Sequence, residues 1–130
     1  MTTTQQLTLW MRHDPNFIGV YPLDMLPHLN KPLGWSLIVN TQTKNLPGKH
    51  WIAVRTHYDQ AWIFDPLGYP PPSELCHHLQ MHCFMRIIHV SEVAVQLPNT
   101  ITCGQHCIYF LYHSLPAPSE KVALDFVKKL

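Results

Sequence analysis

Two short apolar runs joined by a four-residue link constrain this chain most. His50 to His57 (HWIAVRTH) and Ala61 to Asp65 (AWIFD) are rich in aromatic and β-branched side chains, and His57-Tyr58-Asp59-Gln60 leaves space between them only for a tight turn. Runs of this kind pair as an antiparallel hairpin. The pairing sets His50, first residue of one strand, opposite Asp65, last residue of the other.

The rest of the chain supplies partners for that hairpin. Trp35 to Thr41 (WSLIVNT) reads as a buried strand, and Leu46-Pro47-Gly48 as the turn that follows it. Phe84 to Gln96 is strand-like around Arg86 to Val95, and Leu97-Pro98-Asn99 is a turn. Helices are expected at Thr4 to Arg12, stopped by Asp14-Pro15, and from Ser73, as a capping residue, to about His82. The segment beginning at Cys103 (CGQHCIYFLYH) is apolar nearly all round, which predicts a buried helix. Ser119 to Leu130 reads as an amphipathic helix with Val122, Phe126, Val127 and Leu130 on one face and Lys128 and Lys129 at its C-terminal end. Proline clusters at Pro27 to Pro32, Pro70 to Pro72 and Pro116 to Pro118 fall between these elements and read as loops. The expectation is an α+β fold over residues 1–130 as a single domain, with a central, mainly antiparallel sheet and helices before and after it.

Composition narrows the function. The 130 residues are 46% apolar and 13% charged, and a net charge of +1 excludes a strongly basic nucleic-acid binder. No run of about 18 apolar residues occurs, so no membrane-spanning helix is expected. Met1 to Leu9 lacks the basic-then-apolar pattern of a secretory signal, which predicts an intracellular protein. The 4 cysteines are too few for a disulfide scaffold and suit thiol chemistry or metal binding in a reducing compartment.

Cys103 stands apart from the other thiols. A cysteine at a helix N-terminus has its thiolate favoured by unpaired backbone N–H groups and by the positive end of the helix dipole. Gly104 beside it lets a substrate backbone come close. His50 is the base that the hairpin offers, and Asp65 the carboxylate that orients it and supports the imidazolium. Gln96, seven residues before Cys103 across the Pro-Asn turn, offers a side-chain N–H to join the Cys103 backbone N–H in holding an oxyanion. Trp51 follows His50 and reads as a neighbour of the site and secondarily a substrate contact.

A second Cys/His run has metal-ligand residue types: Cys76-His77-His78 and His82-Cys83, with His106-Cys107 further on. Its spacing matches no standard finger, so the reading is a helix with solvated histidines and two packed thiols, with no metal site assigned.

The segments LIVNTQTKNLPGKHW, FDPLGY and VQLPNTITCG, in that order, resemble the adenovirus-type (adenain-like) cysteine proteases, from about Phe17 to Tyr112. The wider clan, which holds the SUMO-deconjugating cysteine proteases, shares the chain order His, acid, Gln, Cys. The resemblance implies an adenain-like cysteine endopeptidase with His50 as base, Asp65 as orienting acid, Gln96 in the oxyanion hole and Cys103 as nucleophile. It further implies viral precursor or capsid proteins as substrates, cleaved after small residues such as Gly, and a location in the host nucleus or the virion. The chemistry needs no cofactor; the family's activators are a peptide and DNA, and the scarcity of Lys and Arg, 9 in all, weakens the case for DNA. Asp65 stands where the adenovirus enzyme itself has Glu, and the chain is much shorter after the nucleophile helix. The alternatives are a deconjugating isopeptidase acting on a ubiquitin-like protein and a zinc-binding interaction module built on residues 76–83.

Overall fold

A computed structural model describes residues 3–31, 33–41, 50–91 and 103–113, with side chains at 104–111 in the last segment. The turns at residues 46–48 and 97–99, the third proline cluster, the expected helix over 119–130 and Gln96 lie outside the described residues.

The elements run α1 (Thr4–Trp10), β1 (Phe17–Pro22), a 3-10 turn (Leu23–Met25), β2 (Ser36–Asn40), β3 (Trp51–His57), β4 (Gln60–Phe64), α2 (Ser73–His82), β5 (Ile87–Val90) and α3 (Cys103–His113). The strands form one five-stranded sheet in the order β1-β2-β3-β4-β5. Its centre is antiparallel, β2 with β3 and β3 with β4, while the outer pairs, β1 with β2 and β4 with β5, are parallel. The architecture is α+β, and the sheet is mixed: antiparallel where the hairpin dictates it and parallel at both edges.

Side-chain alternation along β3 divides the core into two layers. Trp51 and Ala53 face a cluster with Leu7 and Met11 of the α1 region and Cys107, Phe110 and Leu111 of α3. Ile52 and Val54 face the other, with Leu75 and Leu79 of α2, Cys83 and Met85. Both faces of the central strands are therefore covered, which is why β2 and β3 read as nearly unbroken apolar runs.

Local chemistry sets the ends of the elements. Thr3 and Gln6 form a reciprocal capping box on α1. The N-cap of α2 is Pro72, without a side-chain cap, so Ser73 is the first helical residue and does not cap as its type suggested. β1 is an element the sequence did not announce: Gly19, at φ +140°, sits in the register break between Phe17 and Val20, and every residue of the strand is only half-buried. Gly34 is required by a close approach, since a Cβ there would lie 2.7 Å from the Thr56 carbonyl oxygen. Beside the β2–β3 ladder the Thr56 N–H donates to the Trp35 carbonyl at 2.8 Å, and the Trp35 N–H donates to Thr56 Oγ1 at 3.1 Å.

Candidate active site

The turn of the hairpin is Tyr58-Asp59, with His57 paired to Gln60 and Tyr58 at φ 55°. Ala53 pairs with Phe64, and continuing that register sets Ile52, two residues beyond His50, opposite Asp65. His50 and Asp65 are thus diagonal neighbours rather than direct partners, as the sequence suggested. Diagonal residues share a face and stand within reach of long side chains. His50 Nε2 lies 2.8 Å from Asp65 Oδ1, with the two side chains 18% and 4% exposed. The carboxylate is shielded and the imidazole reaches solvent.

Both residues are held by their backbones. The Thr41 N–H donates to the His50 carbonyl, which extends the β2–β3 ladder one step past β3. Asp65 begins the turn Asp65-Pro66-Leu67-Gly68: the Leu67 N–H donates to Oδ1 at 2.8 Å, and the Gly68 N–H to the Asp65 carbonyl at 2.9 Å. Its own N–H donates to Ser91 Oγ at 3.4 Å, while the Ser91 N–H donates to the Ile63 carbonyl. The carboxylate therefore has a fixed direction before any substrate arrives. Ser91 and the Leu67 amide were not singled out in the sequence; the Asp-Pro-Leu-Gly turn was the signal for the second. Tyr69, exposed and with its ring centroid 6.3 Å from that of His50, borders the imidazole.

Cys103 is the first residue of α3, and Gly104 next to it is buried. The Cys103 thiol and Gln96 lie outside the described side chains. Contacts further along α3 orient the helix. The Cys107 thiol donates to the Trp51 carbonyl at 3.3 Å, the Phe110 ring stacks on Phe64 with centroids 4.7 Å apart, and the Leu111 carbonyl accepts from the Arg55 guanidinium. Going from Leu111 back to Cys107 moves from Arg55 back to Trp51. One further turn, about 6 Å of helix, carries the start of α3 toward the His50 end of β3. The first N–H groups of a helix have no partner within it, so this end favours a thiolate and developing negative charge.

Trp51 is 3% exposed, and its side chain belongs to the core cluster with Ala53, Phe64 and Cys107. His106 is buried, and desolvation lowers its pKa. Among the described residues, no disulfide joins Cys76, Cys83 and Cys107 to one another.

A family model described as adenovirus endoprotease matches residues 17–125. The protease of Bovine adenovirus C serotype 10 is 26% identical over 112 residues, which is 75% of this chain and 57% of that protein. The protease of Porcine adenovirus A serotype 3 is 26% identical over 137 residues, 89% of this chain and 64% of that one. The chain thus spans roughly three-fifths of the length of these relatives. The crystal structure of the ASFV pS273R protease shares the fold at a TM-score of 0.56 and 12% identity, over 95% of this chain and 63% of that one.

Proposed function

This chain belongs to the adenovirus endoprotease family, and on that premise we propose that it is a viral cysteine endopeptidase in which Cys103 is the nucleophile, His50 the base, Asp65 the orienting acid and Gln96 an oxyanion donor. The observation that carries the reading is the 2.8 Å contact between His50 Nε2 and the buried Asp65 carboxylate, at the end of the sheet toward which α3 starts.

With Nε2 directed at Asp65, proton exchange with the thiol runs through Nδ1. Cys103 Sγ, as the thiolate, attacks the scissile carbonyl carbon. The carbonyl oxygen takes the negative charge and is held by the Cys103 backbone N–H and the Gln96 side chain. As the C–N bond breaks, the proton on His50 Nδ1 passes to the leaving amine and a thioester remains. His50 then takes a proton from water, whose oxygen attacks the thioester carbon. The thiolate leaves, and the product acid and the starting enzyme are restored. Asp65 stabilises the imidazolium whenever it forms.

The substrates in this reading are viral precursor or capsid proteins, cut after small residues, in the host nucleus or the virion, with a peptide as activator. No helix among the described residues is long and apolar enough to cross a membrane. Alkylation tests the assignment: a thiol reagent should label Cys103 ahead of Cys76, Cys83 and Cys107, and Cys103→Ala should abolish cleavage of Gly-containing peptides, with and without added peptide or DNA. Equal labelling of the four thiols, or undiminished cleavage by Cys103→Ala, overturns it.

A further inference from the structure

Three imidazoles meet on the side of the sheet opposite α3. His78 and His82 lie one turn apart on α2, and His28 comes from the loop after the 3-10 turn. The ring centroids of His28 and His82 are 4.2 Å apart and stacked, those of His78 and His82 are 5.1 Å apart, and those of His28 and His78 are 5.4 Å apart. One ring nitrogen of each lies within 4.8 Å of those of the other two.

Backbone contacts on both sides of His28 build this arrangement. His78 Nε2 donates to the Pro27 carbonyl at 2.6 Å, and the Leu29 N–H donates to the His82 carbonyl at 3.2 Å. The loop is thereby clamped onto the C-terminal half of α2 with His28 held between the clamps. Buried Cys83 adds a weak contact from its thiol to the same Pro27 carbonyl at 3.7 Å. We propose that His28, His78 and His82 form a binding site for a divalent first-row transition-metal ion of the Zn2+ type, which clips this loop to α2.

The geometry and the donor chemistry support it. Tetrahedral zinc with ligands at about 2.1 Å needs donor nitrogens about 3.4 Å apart. Closing the cluster from its present spacing moves each ring nitrogen inward by about 1 Å or less, within reach of side-chain rotation. Metal-bound histidines typically donate their other ring N–H to a carbonyl or carboxylate, which fixes the tautomer. The bond from His78 Nε2 to Pro27 does this in advance and leaves Nδ1 to the metal. His28 and His82 are exposed, so water can complete the coordination. Glu74, one turn before His78, lines the same shallow pocket of about 520 Å³ as His78 and His82 and adds a negative field for a cation.

Cys76 and Cys83, the thiols that the sequence run offers, pack against the apolar core. The donors are therefore the histidines, and the third of them lies outside the Cys/His run.

Zn2+ titration of the full chain against a chromophoric chelator, together with Co2+ absorption spectra, tests the site. The expected result is one tight site per chain and a cobalt spectrum without a sulfur-to-metal charge-transfer band. His28→Gln and His82→Gln should each weaken Zn2+ binding by on the order of 100-fold, the upper end of what loss of even an outer partner costs. Both residues are exposed, so the metal-free variants should melt with the wild type, while added Zn2+ raises the melting temperature of the wild type alone. No tight Zn2+ site, a thiolate charge-transfer band, or affinity unchanged in the double variant overturns the proposal. Both the Zn2+ titration and the cobalt spectra are made on the full Cys103→Ala chain, so the readout is metal binding on the face opposite α3 and its outcome is independent of whether Cys103 proves to be the nucleophile.

Discussion

The Cys107 thiol sits 3.3 Å from the Trp51 carbonyl oxygen and joins α3 to the start of β3. Cys107 is one helical turn after Cys103, and Trp51 is the residue after His50. This single contact therefore links the helix that the proposed nucleophile begins to the strand that the proposed base immediately precedes. It uses a side chain that packs in the core with Leu111 and Phe110, so the register between helix and strand is set by burial as well as by the bond.

Cys107→Ala removes both the donor and part of the packing. The expected loss of stability is about 1–2 kcal/mol by chemical denaturation, with a larger proportional fall in kcat than change in KM, because the substitution disturbs the placement of α3 against His50. Cys107→Ser, which keeps a donor of similar size, should recover part of kcat. Equal activity in both variants and the wild type would remove Cys107 from any positioning role.

Asp65 offers a test that separates orientation from charge. Asp65→Ala removes the acceptor for His50 and for the Leu67 N–H, and should lower kcat/KM by on the order of 100-fold. Asp65→Asn keeps an oxygen for both donors but gives up the charge, so its loss should be clearly smaller. Equal losses in steady-state peptide cleavage would mean that the carboxylate charge, and not the direction it imposes on the ring, dominates.

Arg55 carries a buried charge in the middle of β3, 2% exposed, with its guanidinium 3.6 Å from Asp14 and bonded to the Leu111 carbonyl near the end of α3. Desolvation lowers its pKa, and Asp14 opposes that shift. Arg55→Met leaves the Leu111 carbonyl without this donor and the Asp14 carboxylate without its partner. It should cost about 2–4 kcal/mol of unfolding free energy. The exposed Arg86–Asp59 pair, by comparison, should change stability by less than about 1 kcal/mol when Arg86 becomes Ala. Parallel denaturant titrations compare the two directly.

What the residues reveal in advance follows the range of the interactions that decide them. The β3–β4 hairpin is local: HWIAVRTH and AWIFD with a tight link can do little else, and the meeting of His50 with Asp65 follows from it even though the register places them diagonally. The helix from Cys103 is equally plain, because a segment apolar nearly all round has to be covered. β1 is not local. Its partner β2 is reached by a parallel crossover, Phe17 with Ser36, and Gly19 and Pro22 interrupt its pattern. Pro72 takes the cap position that Ser73 was expected to hold because the chain is already extended there, at φ −57° and ψ 139°. His28 could not be matched with His78 and His82 from spacing, since only the clamps at Pro27 and Leu29 bring it to α2.

His106 gives the pH dependence a definite sign. It lies on α3, 5% exposed, and desolvation lowers its pKa from the ordinary 6.5. The unfolded chain therefore takes up a proton at this residue at a higher pH than the folded one. Unfolding free energy rises with pH wherever the unfolded state holds more protons. The contribution of neutral His106 is thus fully present above about pH 6.5 and is lost as pH falls from there toward the lower folded-state pKa. A single such group gives a slope of at most about 1.4 kcal/mol per pH unit. His82, also lowered, acts in the same direction, so the wild type alone does not isolate the effect. His106→Leu does: denaturant midpoints measured from pH 7.5 down to about 5 should fall less steeply than in the wild type, whatever the offset between the two proteins at neutral pH. Parallel curves would mean that the imidazole on α3 is as readily protonated in the folded chain as in the unfolded one, and that acid reaches α3 without first opening its contact with the sheet.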